Sequence, residues 1–374
     1  MAEYLYLHIP FCVRKCVYCD FLSLPYDKAL ASAYATALCR ELEMKKHMAG
    51  ALKTVFIGGG TPTTLPEASL EQIFSCIREH YTLRPDAEIS IEANPGTVTR
   101  EKAAILVAQG VNRISLGVQS FNDNELNTLG RVHSAEEAIS SAGTFLSSGL
   151  ENLSLDLMYG IPGQTMETWK GSLSAAVGLA PKHISAYELT PEKGTPLKES
   201  LDSGNLSLPD EESVLAMSSL AIDALGTSGF QHYEISNYAL PGYQCVHNMN
   251  YWNRGEYLAA GAGAHSFLHG YRSTNTGSVP EYISVLGNDV IPEVDSAHLS
   301  GEEAQREFIM LGLRKIGGVH LKEASDLKLD IATAARALIE SGFLEITGNF
   351  LRLTRKGLPI ANAVIVRLLQ DLEL

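Results

Sequence analysis

Three cysteines stand close together near the start of the chain, in the segment CVRKCVYC. Cys12, Cys16 and Cys19 are four and three residues apart, and their thiolates are soft ligands that suit zinc or iron–sulfur clusters. A disulfide would leave one of the three thiols over. A zinc site would need a fourth ligand, for which the candidates are Asp20, His8 and Cys245. A three-thiolate [4Fe–4S] cluster would instead leave one iron open to a substrate, and the spacing alone leaves both metals open.

Glycines and polar residues recur where predicted strands end. The segment GGGTPT, residues 58–63, follows the second predicted strand, and glycines there would let a ligand approach the backbone closely. The polar candidates at or after later strand ends are Glu92, Gln119, Arg131 and Asp156. The planar fork of the arginine suits a carboxylate, whereas the other three suit hydroxyl or ammonium groups. Taken singly, each of them is more often a salt bridge or a cap.

The elements that position these residues alternate between short apolar runs and helical stretches. The runs are Leu5–His8, Val55–Ile57, Glu88–Glu92, Arg113–Val118, Leu153–Met158 and His183–Glu188, and their starts lie 25 to 50 residues apart. This spacing leaves room for a helix each time and predicts a parallel sheet. Because six units are too few for a closed eight-stranded barrel, we predict an α/β fold with a partial (β/α)6 barrel. Ser134 with Glu137 predicts a capping box, and Thr99 the start of another helix.

The alternation of apolar runs and helical stretches ends near Phe230, so we divide the chain into three parts. Residues 1–235 form the predicted barrel, 236–300 a connecting region without a strong period, and 301–374 a smaller α+β domain of winged-helix type. In the last part, Ser300 and Glu303 predict a capping box, residues 331–340 a helix, and Gly348-Asn349 the turn of a hairpin.

The cysteine spacing, the aromatic Tyr18 before the last cysteine and GGGTPT together resemble the radical S-adenosylmethionine (radical SAM) superfamily, over residues 4 to about 235. The resemblance implies that the three cysteines hold a [4Fe–4S] cluster whose open iron is chelated by S-adenosylmethionine. An electron from the cluster then breaks a sulfonium C–S bond and gives a 5′-deoxyadenosyl radical. The positions that the resemblance assigns to S-adenosylmethionine are Tyr6, Tyr18, Gly59, Gly60, Thr61, Glu92, Gln119, Arg131 and Asp156.

Two functions compete within the coproporphyrinogen-oxidase-like branch that the sequence resembles. One is the oxygen-independent coproporphyrinogen III oxidase, which decarboxylates propionates in haem synthesis, and the other is a haem chaperone. The oxidase pattern has a further cysteine where this chain has Phe21, and a longer extension than the five residues before Tyr6. HNMNYW, residues 247–252, matches a haem-associated motif of the chaperones. The resemblance therefore favours a haem chaperone, with an unidentified acceptor protein and an electron-donor protein as partners, and assigns no catalytic residue.

His247 is the candidate for binding the haem iron within this motif. An imidazole serves as an axial ligand in many haem proteins, and aromatic rings pack well on a porphyrin face. Without the resemblance, a lone histidine and a Tyr-Trp pair would more often be core residues. Cys245 remains the alternative axial ligand, and His265 and His269 are weaker candidates.

The bulk composition argues against two classes of protein. The formal net charge of −14 at pH 7 disfavours a broad nucleic-acid-binding surface. No run of eighteen apolar residues occurs, and the N-terminus lacks the pattern of a signal peptide. We therefore expect a cytoplasmic protein without an integral membrane segment, for which peripheral membrane contact remains open.

Overall fold

The computed structural model describes all 374 residues, and its first part alternates strands with helices. The elements are β1 (Ala2–Ile9), β2 (Phe11–Cys12), β3 (Leu24–Pro25), α1 (Lys28–Lys45), β4 (Ala49–Gly59), α2 (Glu67–His80), β5 (Leu83–Ala93), α3 (Arg100–Ala108), β6 (Arg113–Gln119), α4 (Asp123–Thr128), α5 (Ala135–Ser147), β7 (Leu153–Tyr159), α6 (Met166–Gly178), β8 (His183–Glu188), α7 (Pro196–Asp202) and α8 (Glu211–Thr227). Short 3₁₀ helices span Lys46–Met48 and Pro62–Thr64. All six predicted strands are present.

The middle of the chain is more regular than its composition suggests. Its elements are β9 (Gln231–Glu234), β10 (Asn237–Ala239), α9 (Val246–Trp252), β11 (Leu258–Ala260), β12 (His265–Leu268), β13 (Tyr271–Asn275), α10 (Val279–Leu286) and β14 (Glu293–His298). The HNMNYW motif, which lies in a region predicted to lack periodic structure, therefore falls on the helix α9.

One nine-stranded sheet forms the body of the molecule, in the order β11-β1-β4-β5-β6-β7-β8-β10-β9. The six strands from β1 to β8 in this order are parallel, as the partial barrel requires. β11 extends one edge in parallel, and β10 and β9 extend the other edge antiparallel. The α/β fold with a partial barrel is confirmed. The division at residues 235 and 300 stays a prediction, because the sheet draws strands from two of the three parts.

Alternation along the parallel strands separates an apolar from a polar face. Ile89 and Ile91 of β5 join the main hydrophobic core, which also contains the buried Trp169 of α6. Glu92, two residues beyond Ser90 on the other face of β5, lines a cavity. Because side chains of a strand alternate between its two faces, the sheet packs helices on one side and presents polar groups on the other.

The last part has its own hydrophobic core around a small antiparallel sheet. Its elements are α11 (Glu302–Gly312), β15 (Val319–His320), α12 (Leu321–Asp326), α13 (Ile331–Ala334), α14 (Arg336–Glu340), β16 (Leu344–Thr347), β17 (Phe350–Leu353), a 3₁₀ helix (Leu358–Ile360) and α15 (Ala361–Asp371). The predicted hairpin is present as β16 and β17, paired from Leu344 opposite Leu353 to Thr347 opposite Phe350.

Two local predictions about helix boundaries in this part need correction. Gly301, not Ser300, precedes the first residue of α11, and no side chain caps that helix. The reason is the backbone at Gly301, whose φ of 57° lies in the left-handed region that glycine tolerates. The helix predicted over residues 331–340 is interrupted at Ala335, which lies between the end of α13 and the start of α14. By contrast, the capping box of Ser134 and Glu137 on α5 is confirmed, and so is the cap of Thr99 on α3.

None of the helices combines the length and the apolar character needed to cross a lipid bilayer.

Candidate functional site

The three cysteines lie on the loop that connects β1 with α1 and includes the two-residue strands β2 and β3. The centre of this loop is fixed through Val17, whose N–H donates to Leu129 O at 3.3 Å and whose carbonyl accepts from Leu197 N at 2.9 Å. A Cβ atom added at Gly130 would lie 2.9 Å from Val17 Cγ1, so the close approach requires glycine there. Backbone contacts from two later helices therefore hold the cysteine loop in place.

Polar groups reach two of the three sulfur atoms. The Thr61 hydroxyl donates to Cys12 Sγ at 3.5 Å, and Arg131 Nη1 donates to Cys16 Sγ at 3.4 Å. Burial raises the pKa of the Cys12 thiol and of the Cys19 thiol. Binding to metal would offset this cost, because a coordinated thiol is deprotonated.

Two of the three candidates for the fourth ligand of a zinc site, His8 and Cys245, are engaged elsewhere. His8 uses both ring nitrogens, one with Tyr6 OH at 3.1 Å and one with Leu22 O at 3.0 Å. Cys245 Sγ lies 3.7 Å from Glu88 Oε1 instead. No group of three His, Cys, Asp or Glu side chains is arranged to hold a single metal ion. Three thiols without a fourth ligand fit a cluster with one open coordination position.

A cavity of about 680 Å³ opens next to the cysteine loop, at the carboxyl ends of the barrel strands. Its volume lies in the range of cofactor and small-molecule sites. Ten of the predicted site residues line it, namely Cys12, Cys16, Tyr18, Cys19, Gly59, Gly60, Glu92, Gln119, Arg131 and Asp156. Residues scattered over 145 positions of sequence thus meet in one place, as ligand sites of parallel α/β barrels do.

Arg131 joins the cysteine loop to the ends of the strands. Besides Cys16, its guanidinium contacts Asn94 Oδ1 at 2.6 Å and Gly117 O at 2.5 Å, both through Nη2. Asn94 also donates to Thr61 Oγ1 at 2.7 Å. The sequence reasoning missed Asn94, although its place two residues after Glu92 in the same strand-end segment was a usable signal.

Two buried carboxyl groups face the cavity with different partners. Glu92 accepts a hydrogen bond from Gly59 N at 3.0 Å, and burial raises its pKa to about 8. Its carboxyl group is therefore largely protonated near pH 7. Asp156 accepts from the hydroxyls of Ser115 at 2.9 Å and Ser185 at 2.8 Å, while burial raises its pKa. A protonated acid and a hydrogen-bonded one can together donate to and accept from ligand hydroxyls.

Gln119 ends β6 with strained backbone geometry. Its φ of 67° places a non-glycine residue in the left-handed region, next to a register shift between β6 and β7. Such strain persists where the surrounding structure fixes it, and it clusters at ligand sites. The geometry brings the Gln119 side chain into the cavity lining.

A second, smaller cavity of about 200 Å³ lies deeper in the barrel and shares Glu92 and Asp156 with the first. Tyr6 lines this inner chamber and not the larger cavity. Asn248 and Tyr251 of the HNMNYW motif also line it. Helix α9 therefore closes the interior of the barrel beneath the cysteine loop, a position that the sequence did not reveal.

We call helix α9, which closes the interior of the barrel, the plug. His247 lies on this helix and is buried, with an exposed fraction of 1%. Its Nδ1 lies 2.6 Å from Thr54 Oγ1 and its Nε2 lies 2.8 Å from Tyr251 OH, while its ring stacks on Phe56. Burial lowers the pKa of His247 to about 3. Binding of haem iron by His247 stays a prediction, but both ring nitrogens are occupied in this conformation.

The other proposed iron ligands differ in accessibility. Cys245 is fully buried, and burial raises the pKa of its thiol to about 12. Glu88 of β5 accepts hydrogen bonds from the backbone N–H groups of Val246 at 3.1 Å and His247 at 3.2 Å, and so fixes the start of α9. His265 and His269 are exposed on and beside β12. An axial bond from the motif would require α9 to move.

Comparison with known proteins relates the chain to one superfamily over its first half and to one domain near its end. Residues 6–176 match the family model of the radical SAM superfamily. Residues 299–360 match the model of the HemN C-terminal domain.

Relatives that match this chain over most of its length point to a narrower family. A protein named heme chaperone HemW from Bacillus subtilis is 36% identical over 377 residues, covering 98% of this chain and 99% of that protein. The heme chaperone HemW from Mycobacterium tuberculosis is 36% identical and covers 97% of this chain and 94% of its own length. The heme chaperone HemW from Escherichia coli is 42% identical over 269 residues, which are 70% of this chain and 69% of that protein.

Among solved structures, coproporphyrinogen III oxidase (HemN) from Escherichia coli superposes with a TM-score of 0.85. The match covers 100% of this chain and 91% of that one at 22% identity, and shows a shared fold. The fold, the cysteine loop and the similarity over nearly the whole length agree, and the chain belongs to the HemW family within the radical SAM superfamily.

Proposed function

We propose that the protein is a haem chaperone, which binds haem and transfers it to an acceptor protein. The observation that carries this proposal is similarity to proteins named heme chaperone HemW over 98% of the chain. Phe21 supports it, because the oxidase pattern requires a cysteine at this position. Its side chain is 63% exposed beside the cysteine loop and offers no metal ligand.

The proposed cofactors are a [4Fe–4S] cluster on Cys12, Cys16 and Cys19 and an exchangeable S-adenosylmethionine in the larger cavity. A cluster of this kind supplies one electron and an open iron site. Gly60 keeps the space next to the cluster clear, because a Cβ atom there would lie 3.0 Å from Cys12 Sγ. An electron-donor protein and the haem acceptor are the proposed partners.

The residues of the cavity suit the two ends of S-adenosylmethionine. Arg131 supplies a planar guanidinium for the carboxylate, held by Asn94 and Gly117 O. Glu92 and Asp156 supply donors and acceptors for the ammonium and the ribose hydroxyls. Tyr6, in the inner chamber, would contribute only to a part of the ligand that reaches past Glu92.

Replacing Arg131 with alanine should weaken S-adenosylmethionine binding about tenfold or more. The lost contact is a charge-assisted hydrogen bond worth about 1.5–3 kcal/mol. Calorimetry under anaerobic conditions measures the affinity, and iron is determined in the same samples because Arg131 also contacts Cys16. Arg78→Ala, on the outer helix α2, is the matched control. Unchanged affinity at full iron content would assign the carboxylate to another residue.

One experiment distinguishes the chaperone from the oxidase hypothesis. The reconstituted protein is offered haemin and coproporphyrinogen III in parallel samples, without oxygen. We expect about one haem bound per chain and no decarboxylation in the presence of reductant and S-adenosylmethionine. Absorption spectra follow the haem, and chromatography of the porphyrins follows the substrate. Turnover of coproporphyrinogen III would reject the chaperone and support the oxidase.

A further inference from the structure

One arginine of the C-terminal part lies at the barrel cavity. Arg314 follows α11, and its carbonyl accepts a hydrogen bond from Ile235 N at 3.0 Å, next to the end of β9. Its side chain lines the larger cavity together with the three cysteines. Its guanidinium carbon lies 4.9 Å from the ring centre of Trp252, the last residue of the HNMNYW motif. Two distant segments of the chain thus meet at Arg314, on one wall of the cavity.

The guanidinium of Arg314 makes no direct polar contact within the chain. It forms no hydrogen bond or salt bridge, and its Nε is buried without an acceptor. The indole Nε1 of Trp252 is also buried without an acceptor. The positive charge of Arg314 lowers the pKa of the nearby Glu234 carboxyl group, although burial raises that pKa more. The Glu234 carboxylate does not contact Arg314 directly and accepts a hydrogen bond from Asn237. Because buried donors in native proteins are almost always paired, the unpaired guanidinium of Arg314, a residue of the cavity lining, indicates a ligand with acceptor oxygens.

Other cations of the cavity are already accounted for. Arg131 contacts Cys16, Asn94 and Gly117 O. Lys15 donates to Phe21 O at 3.0 Å, and Arg14 is exposed to solvent. Arg314 is therefore the one cation of the cavity lining that has a buried and unpaired guanidinium nitrogen, in a chain whose net charge is −14.

A carboxylate on a flat apolar ligand matches this wall. Arginine binds carboxylates through two parallel hydrogen bonds. Leu189 and Met158 line the same cavity and give apolar contact. The carboxylate of S-adenosylmethionine, proposed for the same cavity, is assigned to Arg131, which leaves Arg314 for a second anionic ligand. Haem combines both features, because its porphyrin ring is apolar and its two propionates are anionic.

We propose that Arg314 binds a propionate of the haem, with the guanidinium held in place by the ring of Trp252. This inference rests on the proposed chaperone function and locates its ligand. In this arrangement the C-terminal part supplies the anchoring charge. The HNMNYW motif then serves the haem through Trp252 at its end, while His247 stays in the plug of the barrel.

The test varies both the protein and the ligand. Arg314→Gln should lower the affinity for haem about tenfold or more, as expected for a lost charge-assisted contact. Haem dimethyl ester, in which both propionates are esterified, should bind Arg314→Gln and wild type equally. Arg314→Lys keeps the positive charge but cannot form two parallel hydrogen bonds to a carboxylate. Its affinity for haem should therefore lie between those of wild type and Arg314→Gln. Arg306→Gln, an exposed arginine on α11 without an ion pair, is the matched control and should bind haem normally.

Circular dichroism and iron content establish that each variant is folded, and absorption titrations give the affinities. The inference is overturned if Arg314→Gln binds haem as tightly as wild type. It is also overturned if the substitution weakens binding of the dimethyl ester as much as it weakens binding of haem. In either case wild-type haem binding would still support the chaperone. If the wild type binds no haem, the proposed function and this inference fail together.

Discussion

Cys16→Ala should abolish the [4Fe–4S] cluster, with loss of its visible absorption and of its electron-paramagnetic signal after reduction. The physical reason is the number of ligands: three thiolates would hold four irons, and His8 and Cys245 are engaged elsewhere. The remaining neighbour, Asp20, offers a hard carboxylate oxygen in place of a soft thiolate, so we expect the loss to be complete. Iron and sulfide analysis after anaerobic reconstitution measures the result.

Cys39 provides the matched control for this experiment. It lies on α1, where its sulfur faces Cys76 of α2 and not the cavity. Cys39→Ala should keep the full iron content. A Cys16→Ala protein that retained four irons would show that the cluster, if present, is held by other residues.

Acidification should destabilise the protein strongly through His247. Its pKa is about 3 in the folded protein, against about 6.5 in an unfolded chain. The unfolded state therefore binds more protons below pH 6.5, so stability is retained above that pH and lost as the pH falls towards 3. Between pH 7 and pH 5 this one group should cost about 2 kcal/mol of the free energy of unfolding. Other buried groups titrate in the same range, and Glu92, whose pKa is raised, acts with the opposite sign. Chemical denaturation of wild type and of His247→Gln at the two pH values therefore measures the contribution of His247 as a difference between the two proteins.

Substitution of His247 isolates this contribution. His247→Gln should lower stability at pH 7, because buried partners such as Thr54 Oγ1 lose their hydrogen bond at a cost of about 1–3 kcal/mol. The same variant should lose less stability than wild type on going to pH 5. His269→Gln, at an exposed position, is the control for removal of an imidazole elsewhere in the chain. A His247→Gln protein with the wild-type pH dependence would mean that His247 is charged or mobile in the folded state.

The same variant bears on the haem ligand. If folded His247→Gln protein keeps the wild-type Soret band, His247 is not the axial ligand of the haem. An altered band in a variant that circular dichroism shows to be folded would support axial ligation, and Cys245→Ala would then test the alternative thiolate. Because His247 also stabilises the plug, haem loss alone is not sufficient evidence for either role.

Short-range features of this protein were determined by its sequence. The three cysteines and GGGTPT each act within a few residues, and strand alternation depends on neighbours two positions apart. The six parallel strands, the capping box at Ser134 and ten of the 25 residues that line the cavity were therefore predictable. Local reasoning failed at Gly301, where backbone conformation and not residue type alone decided how the helix begins.

Only the tertiary structure decided the placement of the HNMNYW motif and of Arg314. Helix α9 has seven residues, and isolated helices of this length are unstable in water. Its formation depends on Glu88, more than 150 positions away, and on the pocket around His247. Arg314 meets Trp252 in the same way. Such contacts arise from the packing of distant segments, because their free energy depends on burial and partners that no local pattern encodes.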